Sequence, residues 1–498
     1  MTVLHLFRVA WFTFFQAACS TILALLIGLP SAFFCGRRTF PGRKGLLSLS
    51  VVPFCVPSII IALGYVTFLG LNGGLNKFFM FLFGLEEPPV KILYSFAGLI
   101  IAHGFYNFPL IMKTVSDSWN KLPCEQAESA RLLGAGEGRI FRTVTIYQLL
   151  PSIASSSMLV FIYCFLSFIM VLLFGGIGNT TLEVEIYKAA RATLDFKQAA
   201  SLGIIETVIL CIVTTLYCIL EQKSSRAKGL SSPYSSPLRK IRGSKEIIVF
   251  TIVMILIFAF FVSPLLGIVV NAFTSSKKGV GLSLANFALV LKMRSFWPSV
   301  KSTVTTALYT ATCCSVLGFL YSVLVKFKEQ KGGKGLNLFL KIFPMIPMSI
   351  SSVVVGVIIT LLVKRGSVAT LVIAQTALTW PLAFRQIYPQ MVKITSDTMD
   401  SASILSKNKL QVITRVLLPV SKGALFSAFG FCFAVSAGDT TLPLVLAIPK
   451  YDALSLFTYR LSGSYRFNEA CSAGLILALI CALMYILGQT KKKPRGRI

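Results

Sequence analysis

Eleven long apolar segments restrict the possible folds of this chain more than any other feature. A bilayer core of about 30 Å is crossed by about 20 apolar residues of α-helix. By that measure we predict membrane spans at about 9–35, 47–70, 92–112, 149–174, 198–220, 247–271, 302–325, 339–363, 367–384, 420–446 and 470–488. These segments lack the period-two alternation of a membrane barrel. Hydrophobic residues make up 55% of the chain and charged residues 13%, so the predicted fold class is an all-α polytopic membrane protein.

The formal net charge of +30 is concentrated in a few short segments. Basic clusters follow the first span, fill the stretch 222–245 and close the chain, and all three fall on one side if the spans alternate. Excess Lys and Arg in short loops is typical of the cytoplasmic face. We therefore interpret this charge as a topology signal and not as a nucleic-acid site. The amino terminus is then expected outside and the carboxyl terminus inside, which leaves open whether an upstream span precedes this sequence.

One sequence pattern occurs twice, 272 positions apart. The first copy contains Glu128, Ala130 and Gly134, and the second contains Asp400, Ala402 and Ser406 in the same register. A valine follows the acid after 16 residues in both copies. Six predicted spans separate the two copies, so both loops are expected on the cytoplasmic side. This indicates a parallel duplication, unlike an inverted repeat whose matching loops face opposite compartments.

The duplication predicts two halves joined by a linker. We place the first half at 1–221 with about five spans, the linker at 222–245, and the second half at 246–498 with about six. The linker is rich in Ser, Pro and Lys, which is typical of a solvated connector. No Gly-x4-Gly-Lys-Ser/Thr phosphate loop occurs, and the twelve cysteines show no metal-ligand spacing. We therefore expect no catalytic residue, no metal, no cofactor and no ATPase site in this chain.

The first copy of the repeat favours a short helix followed by a sharp turn. Glu125 and Glu128 lie near the amino end of that helix, where the helix dipole stabilises carboxylates. Gly134 suits the position just past its carboxyl end. Glu128 and Arg131 are three residues apart, so we expect them to pair. The loop would then present a fixed surface, although such a helix can also simply lie at the membrane interface.

The second copy departs from the first at both ends of its helix. Ser396 or Asp397 is the expected cap at the amino end, and Asp400 takes the place of the first acid. Ser406 stands where the first copy has glycine. A serine fits that turn without strain only if its φ angle stays negative.

Both loops resemble the signature of permease subunits of binding-protein-dependent ABC importers, which reads Glu-Ala-Ala-x3-Gly, nine residues, then Ile-x-Leu-Pro. The resemblance implies a type I permease in the bacterial inner membrane, two copies of an ABC ATPase that bind the ATP, and an extracytoplasmic solute-binding protein. It also implies that the two loops dock onto the ATPase subunits through Glu125, Glu128, Ala130, Gly134, Asp400, Ala402 and Ser406. The departures are Ser129 and Ser401 for alanine, Tyr147 for proline, and Ser406 for glycine.

The fused two-half form is similar to permeases for thiamine and for ferric iron. The segments 103–109, 174–187 and 456–466 resemble the thiamine branch. The resemblance therefore implies transport of thiamine or its phosphates, with ferric iron as the alternative substrate.

Polar residues inside the predicted spans are candidates for the substrate pathway, since they are costly there. Two roles fit Asp439: it could attract a cationic substrate, or it could cap a broken helix beside Gly438. His103 and Asn107 are further candidates, and a packed, hydrogen-bonded role is the favoured alternative for His103. For Glu206 we leave helix pairing and transport equally open.

Tyr187 and Tyr459 occupy matching outer loops. Either contact with the arriving binding protein or an interfacial aromatic belt accounts for them. Two other functional classes are considered. An ion-coupled secondary transporter has no reason to repeat a cytosolic docking helix, and a membrane enzyme would require a metal cluster or a nucleophile with its base, which the sequence does not offer.

Overall fold

The computed structural model of the protein describes residues 3–123, 125–174, 180–229, 238–274, 283–330, 339–341, 343–363 and 366–489. The chain divides into two compact units. The first unit comprises Met1–Pro53 and Ile61–Ile268, and the second comprises Phe54–Ile60 and Val269–Ile498. The boundaries that the sequence suggested for the two halves and the linker remain a prediction.

Helices make up most of the described residues. Up to residue 257 the α-helices are Val3–Arg37 (α1), Arg43–Ser48 (α2), Val52–Cys55 (α3), Ser58–Leu69 (α4), Gly74–Phe83 (α5), Phe96–Trp119 (α6), Glu125–Leu132 (α7), Glu137–Ile140 (α8), Ile146–Phe165 (α9), Ile169–Phe174 (α10), Leu182–Arg191 (α11), Phe196–Gly229 (α12) and Ser244–Ile257 (α13). They continue as Ser263–Phe273 (α14), Ala285–Lys292 (α15), Phe296–Gln330 (α16), Ser352–Leu362 (α17), Val368–Val392 (α18), Ser396–Ile404 (α19), Lys409–Val412 (α20), Leu418–Gly438 (α21), Thr441–Leu446 (α22), Leu454–Gly463 (α23) and Phe467–Gln489 (α24). Short 3-10 helices lie at Leu49–Val51 and Phe343–Ser349, and π-helical turns at Phe141–Thr145, Phe258–Val262 and Ile413–Leu417.

Within the described residues, nine helices are long and apolar enough to cross a bilayer, and a bent pair at Phe339–Pro347 and Ser352–Leu362 makes up to ten. The span predicted at 92–112 overlaps α6, which is not one of these nine helices. Its 24 residues include the polar side chains of His103 and Asn107, which lower its mean hydropathy. The segment predicted at 47–70 is interrupted before Ser58, and the apolar stretch then continues to Phe83. Proline at position 57 cannot supply the amide that a continuous helix needs there. The predicted class, an all-α polytopic membrane protein, is confirmed.

The two halves repeat the same elements in the same register. Helices α6 and α18 begin 272 positions apart, as do α11 and α23. The π-helical turns at Phe141–Thr145 and Ile413–Leu417 repeat with that same offset. A π-helical turn is rare and places one extra residue in a helix, so its recurrence in register supports duplication of an entire folded unit.

A close helix crossing also recurs in both halves. In the first unit, a β-carbon at Gly28 of α1 would lie 2.9 Å from the β-carbon of Ile111 on α6. In the second unit, a β-carbon at Gly318 of α16 would lie 2.8 Å from that of Ala383 on α18. No real side chain tolerates such a distance, so glycine permits both contacts, as small residues commonly do between membrane helices.

Residues C-terminal to the linker complete the first unit. Tyr65 donates a hydrogen bond from its hydroxyl to the carbonyl oxygen of Phe260 at 2.8 Å. The ring of Phe250 packs edge-on against Phe34 at 5.0 Å between centroids, and Glu246 pairs with Arg38. Helix α13, the first helix after the linker, therefore packs within the first compact unit.

The linker is more structured than the sequence indicated. Helix α12 continues to Gly229, eight residues into the stretch predicted as a solvated connector. Farther on, Arg239–Lys240 (β2) pairs in parallel with Arg38–Thr39 (β1). A two-residue strand carries no periodic pattern, so this strand pair was not predictable from the sequence. Residues 230–237 lie outside the described residues.

Candidate functional site

The first repeated loop forms the predicted helix and turn. Helix α7 carries Glu125 and Glu128 in its first turn. After it, Gly134 adopts a left-handed conformation with φ of 80°, and the amide of Ala135 donates to the carbonyl oxygen of Ala130 at 3.0 Å. A β-carbon at Gly134 would have no neighbour within 4 Å. Conformation and not space therefore selects glycine at this turn.

The ion pair that stabilises this loop differs from the predicted one. Arg131 pairs with Glu137, through 2.7 Å between Nε and Oε1 and 3.2 Å between Nη2 and Oε2, and not with Glu128. This hydrogen bond to Glu137 raises the pKa of Arg131 above its ordinary value. The pair is bidentate and connects α7 to α8 across the Gly134 turn. Spacing along one helix favours Glu128 as the partner of Arg131, whereas the turn at Gly134 brings Glu137, at the start of the next helix, closer.

The second repeated loop reaches a similar shape by other means. Thr395, and not Ser396 or Asp397, caps α19, because its side chain accepts the amide hydrogen of Thr398 at 3.3 Å. Ser406 is not among the residues with positive φ, so this turn avoids the strain that serine would meet in a left-handed conformation. Asn408 then caps α20 by accepting from the amide of Gln411 at 2.9 Å.

The residues that the sequence nominated for docking lie on these two loops. Exposed members are Glu125, Glu128, Gly134 and Asp400, and half-buried members are Ala130, Ala402 and Ser406. The alanines face inward at equivalent positions while the acids face solvent. On each loop, the helix thus has exposed acids and a half-buried alanine.

Each loop also exposes a pair of large apolar residues that sequence reasoning missed. Leu132 and Leu133 are 90% and 89% exposed, and Ile404 and Leu405 are 83% and 84% exposed. The two pairs are 272 positions apart, at the carboxyl ends of α7 and α19. Exposed apolar residues clustered on a polar loop mark an interaction surface. The signal was available in the sequence as two apolar neighbours recurring in register inside an otherwise polar segment.

A second candidate site lies inside the first unit around His103. The side chain of His103 is 1% exposed. Its Nδ1 lies 3.2 Å from Oε1 of Gln16, and its Nε2 lies 2.7 Å from the hydroxyl of Ser167. Asn107, one turn away, donates to the carbonyl oxygen of His103 at 3.0 Å and lies 3.5 Å from Sγ of Cys164. Both ring nitrogens of His103 are satisfied, which matches the packed, hydrogen-bonded role.

The second unit has the equivalent cluster, and Asp439 belongs to it. Gln375 occupies the position of His103, and Asp439 occupies that of Ser167. Gln375 donates from Nε2 to Oδ2 of Asp439 at 3.0 Å, and its Oε1 accepts from the hydroxyl of Ser436 at 2.7 Å. Two residues nominated separately from the sequence, His103 and Asp439, are therefore parts of one repeated contact.

Both clusters lie beside a break between two helices. In the first half, α9 ends at Phe165 and α10 begins at Ile169. In the second half, α21 ends at Gly438 and α22 begins at Thr441. Oδ1 of Asp439 accepts from the amides of Thr441 and Leu442, at 2.9 and 3.3 Å. Asp439 is therefore a helix cap, one of the two roles that the sequence left open, and its partly exposed side chain keeps the pathway role open as well.

Glu206 is fully buried in α12. Neither of its carboxyl oxygens has a hydrogen-bond partner among the described residues, and the carboxyl group interacts electrostatically with that of Glu183. The helix pairing considered for Glu206 thus takes the form of two neighbouring acids. In the described part of the chain, no group of three or more His, Cys, Asp or Glu side chains could hold a metal ion.

The sequence matches the family described as the binding-protein-dependent transport system inner membrane component, over residues 24–226 and 330–490. The matched residues make up more than half of the chain and include both repeated loops.

Curated relatives match over nearly the full length. The thiamine transport system permease protein ThiP of Brucella abortus (strain 2308) is 27% identical over 97% of this chain and 87% of its own length. The ThiP protein of Escherichia coli (strain K12) is 26% identical over 97% of this chain and 88% of its length. The ferric transport system permease protein FbpB of Actinobacillus pleuropneumoniae is 21% identical, over 96% of this chain and 70% of its length.

Proposed function

The chain belongs to the family of binding-protein-dependent transport system inner membrane components, and from that premise we propose that it imports thiamine or thiamine phosphates. It is a multi-pass permease of an ABC importer. The observation that supports thiamine as the substrate is the alignment with ThiP proteins over both halves, at 27% identity and 97% of this chain. The ferric permease FbpB aligns at 21% identity and over a smaller share of its own length, so iron is the second candidate.

The chemistry of the second-half cluster supports a cationic solute. The thiazolium ring of thiamine carries a permanent positive charge, and Asp439 places a carboxylate on a partly exposed helix break. The equivalent position in the first half is the neutral Ser167. A single carboxylate in one half would attract a monovalent organic cation without holding it as tightly as a cluster of acids holds a metal ion.

We propose that the two repeated loops are the docking sites for two copies of an ABC ATPase. Each loop offers exposed acids on a short helix and, at its end, an exposed apolar pair. An apolar pair of this kind fits a groove on a partner, and the surrounding acids fix its orientation. The Arg131–Glu137 pair and the caps at Thr395 and Asn408 hold the loops in one shape, so that movement of the ATPase subunits reaches the membrane helices.

The transport cycle follows from this arrangement. An extracytoplasmic binding protein delivers the solute, closure of the ATPase subunits pulls the two loops together, and the permease opens outward. Release of the loops reopens it inward. The helix breaks beside His103 and Asp439 supply backbone that can rearrange without unwinding a complete span, because helix ends inside a membrane protein tolerate such changes when side chains satisfy them.

Uptake measurements test the substrate. Cells that lack the gene are compared with complemented cells for uptake of labelled thiamine and of labelled ferric iron. Thiamine uptake that depends on the chain, with iron uptake unchanged, is the expected result. Iron uptake that depends on the chain, with thiamine unchanged, would replace the proposed substrate by the alternative. Co-purification of an ATPase subunit with the tagged chain tests the docking proposal separately.

A further inference from the structure

Two bulky residues adopt a left-handed backbone conformation at equivalent turns of the two halves. Leu194 has φ of 56° and Tyr465 has φ of 58°. Each lies two residues before a long apolar helix, α12 from Phe196 or α24 from Phe467. Each also follows a matching helix, α11 or α23. The two residues therefore occupy the same place in the repeat.

The two turns have different hydrogen bonds but share the left-handed residue. In the first half, the amide of Asp195 donates to the carbonyl oxygen of Ala189 at 2.8 Å. In the second half, the amide of Arg466 donates to the carbonyl oxygen of Leu461 at 3.0 Å, across one residue fewer. The turn has changed in length since the duplication, yet a left-handed leucine or tyrosine remains at its end.

Glycine is the usual residue at such a position, because a side chain there strains the backbone. Burial of the side chain does not offset that strain here, since Leu194 is 64% exposed and Tyr465 is 84% exposed. A strained, exposed and apolar residue retained in both halves points to a function outside the fold itself.

The partner follows from the side of the membrane. Among the described residues, one helix long enough to cross the membrane, Glu137–Phe165 or Lys409–Gly438, separates each turn from its docking loop. The turns therefore lie on the face opposite the ATPase subunits. The soluble partner on that face is the solute-binding protein for which the family is described. The turns also carry charges, Asp195 in the first half and Arg466 in the second, both exposed, which places them in water and not among lipid tails.

We propose that Leu194 and Tyr465 are the apolar contacts by which the solute-binding protein docks, one on each half of the permease. The charges at the two turns differ: Asp195 is an acid that accepts from the amide of Gln198, whereas Arg466 forms an ion pair with Glu469. This difference makes the two contacts distinguishable, so the binding protein docks in one orientation. Tyr187 and Tyr459, the residues considered from the sequence, are half-buried, and Tyr187 packs against Phe168 at 5.1 Å between ring centroids. The turns are more accessible than either tyrosine. The inference rests on the proposed function only in requiring a binding protein.

The test replaces both residues by glycine, which adopts the left-handed conformation without strain. Leu194→Gly and Tyr465→Gly remove the side chains and relieve the strain, so we expect thermal stability to hold or rise. The complete transporter is reconstituted in lipid nanodiscs, and its ATPase rate is measured against increasing concentrations of the purified binding protein of the same import system, loaded with its own ligand. We expect the half-saturating concentration to rise about tenfold in the double variant, as for loss of central interface residues. The basal rate and the rate at saturation should not change.

Leu284→Ala is the matched control, because Leu284 is about as exposed as Leu194 and lies on the same side by span order. An unchanged half-saturating concentration in the double variant would overturn the proposal. A fall in thermal stability with unchanged docking would overturn it too and would assign the two residues to the lipid interface. The measurement does not depend on which ligand the binding protein carries, so a wrong substrate would leave this result interpretable.

Discussion

Gln375 contacts Asp439 across 3.0 Å in the second unit, and in the first unit His103 contacts Ser167 across 2.7 Å at the same position of the repeat. Of these four side chains, that of Asp439 is the one carboxylate. The helix cap made by Asp439 can be separated from the pathway role proposed for it, because the cap needs one oxygen and the pathway role needs the charge. Substitutions that remove charge but keep the cap therefore report on transport, and substitutions that remove both report on folding.

Asp439→Asn keeps an oxygen for the amides of Thr441 and Leu442 and removes the negative charge. We expect a higher KM for thiamine uptake, with thermal stability close to that of the wild type. Asp439→Ala also removes the cap and should cost about 0.5–2 kcal/mol of stability. Initial uptake rates at several thiamine concentrations check the first variant. Uptake kinetics identical to the wild type would remove Asp439 from the pathway.

Gly134→Asp places a side chain where φ is 80° and adds a charge to the first docking loop. We expect ATP-dependent uptake to be lost while the protein still inserts into the membrane, because the turn changes shape and the loop no longer fits the ATPase. Gly42→Asp is the matched control, since Gly42 has φ of 83° with nothing near its β-position but lies outside the loop. If both variants transport normally in membrane vesicles, the Gly134 turn has no part in coupling.

Leu132→Ser with Leu133→Ser should weaken ATPase binding at the first loop, and Ile404→Ser with Leu405→Ser should do so at the second. Burying a leucine side chain is worth about 1.5–3 kcal/mol, so each pair should lower affinity more than tenfold. The amount of ATPase that co-purifies with the tagged permease measures the effect. Equal losses would show that the loops contribute equally, and no loss at either would exclude this surface as the docking site.

Glu206→Gln should be tolerated. Glu206 is fully buried, and neither of its carboxyl oxygens has a hydrogen-bond partner among the described residues. Glutamine has nearly the same shape, so the substitution breaks no hydrogen bond that these residues make. We expect wild-type yield and melting temperature. A drop in melting temperature by several degrees would indicate that the negative charge itself is required at this place.

The sequence contained enough information to predict the class, the duplication and the first docking loop. Hydrophobic runs of the right length place most of the membrane helices, although the run predicted at 47–70 is interrupted before Ser58. A motif that recurs in register indicates that the two loops arose by duplication. The glycine turn at Gly134 was predictable because few other residues adopt its conformation.

Other features depend on contacts that no local pattern records. Arg131 pairs with Glu137 because a turn folds the second helix back. Thr395 caps α19 because that helix begins at Ser396, at least one residue earlier than the predicted caps imply. The break beside Ser167 lies inside the apolar run predicted at 149–174, where hydropathy does not mark it, whereas Gly438 and Asp439 indicated the equivalent break in the second half. The apolar pairs at 132–133 and 404–405 were visible in the sequence, but their exposure depends on how each helix packs, which the sequence does not record.

The packing of Phe250 and Phe260 into the first unit has a consequence for the evolution of this chain. Cutting the polypeptide between Gly229 and Arg239 would yield two fragments, and the second would carry a helix that completes the fold of the first. Separately expressed fragments would be held together by an exchanged segment, as in a domain-swapped dimer. In a single fused chain that association is covalent and the ratio of the two halves is one to one, which favours fused over separate halves.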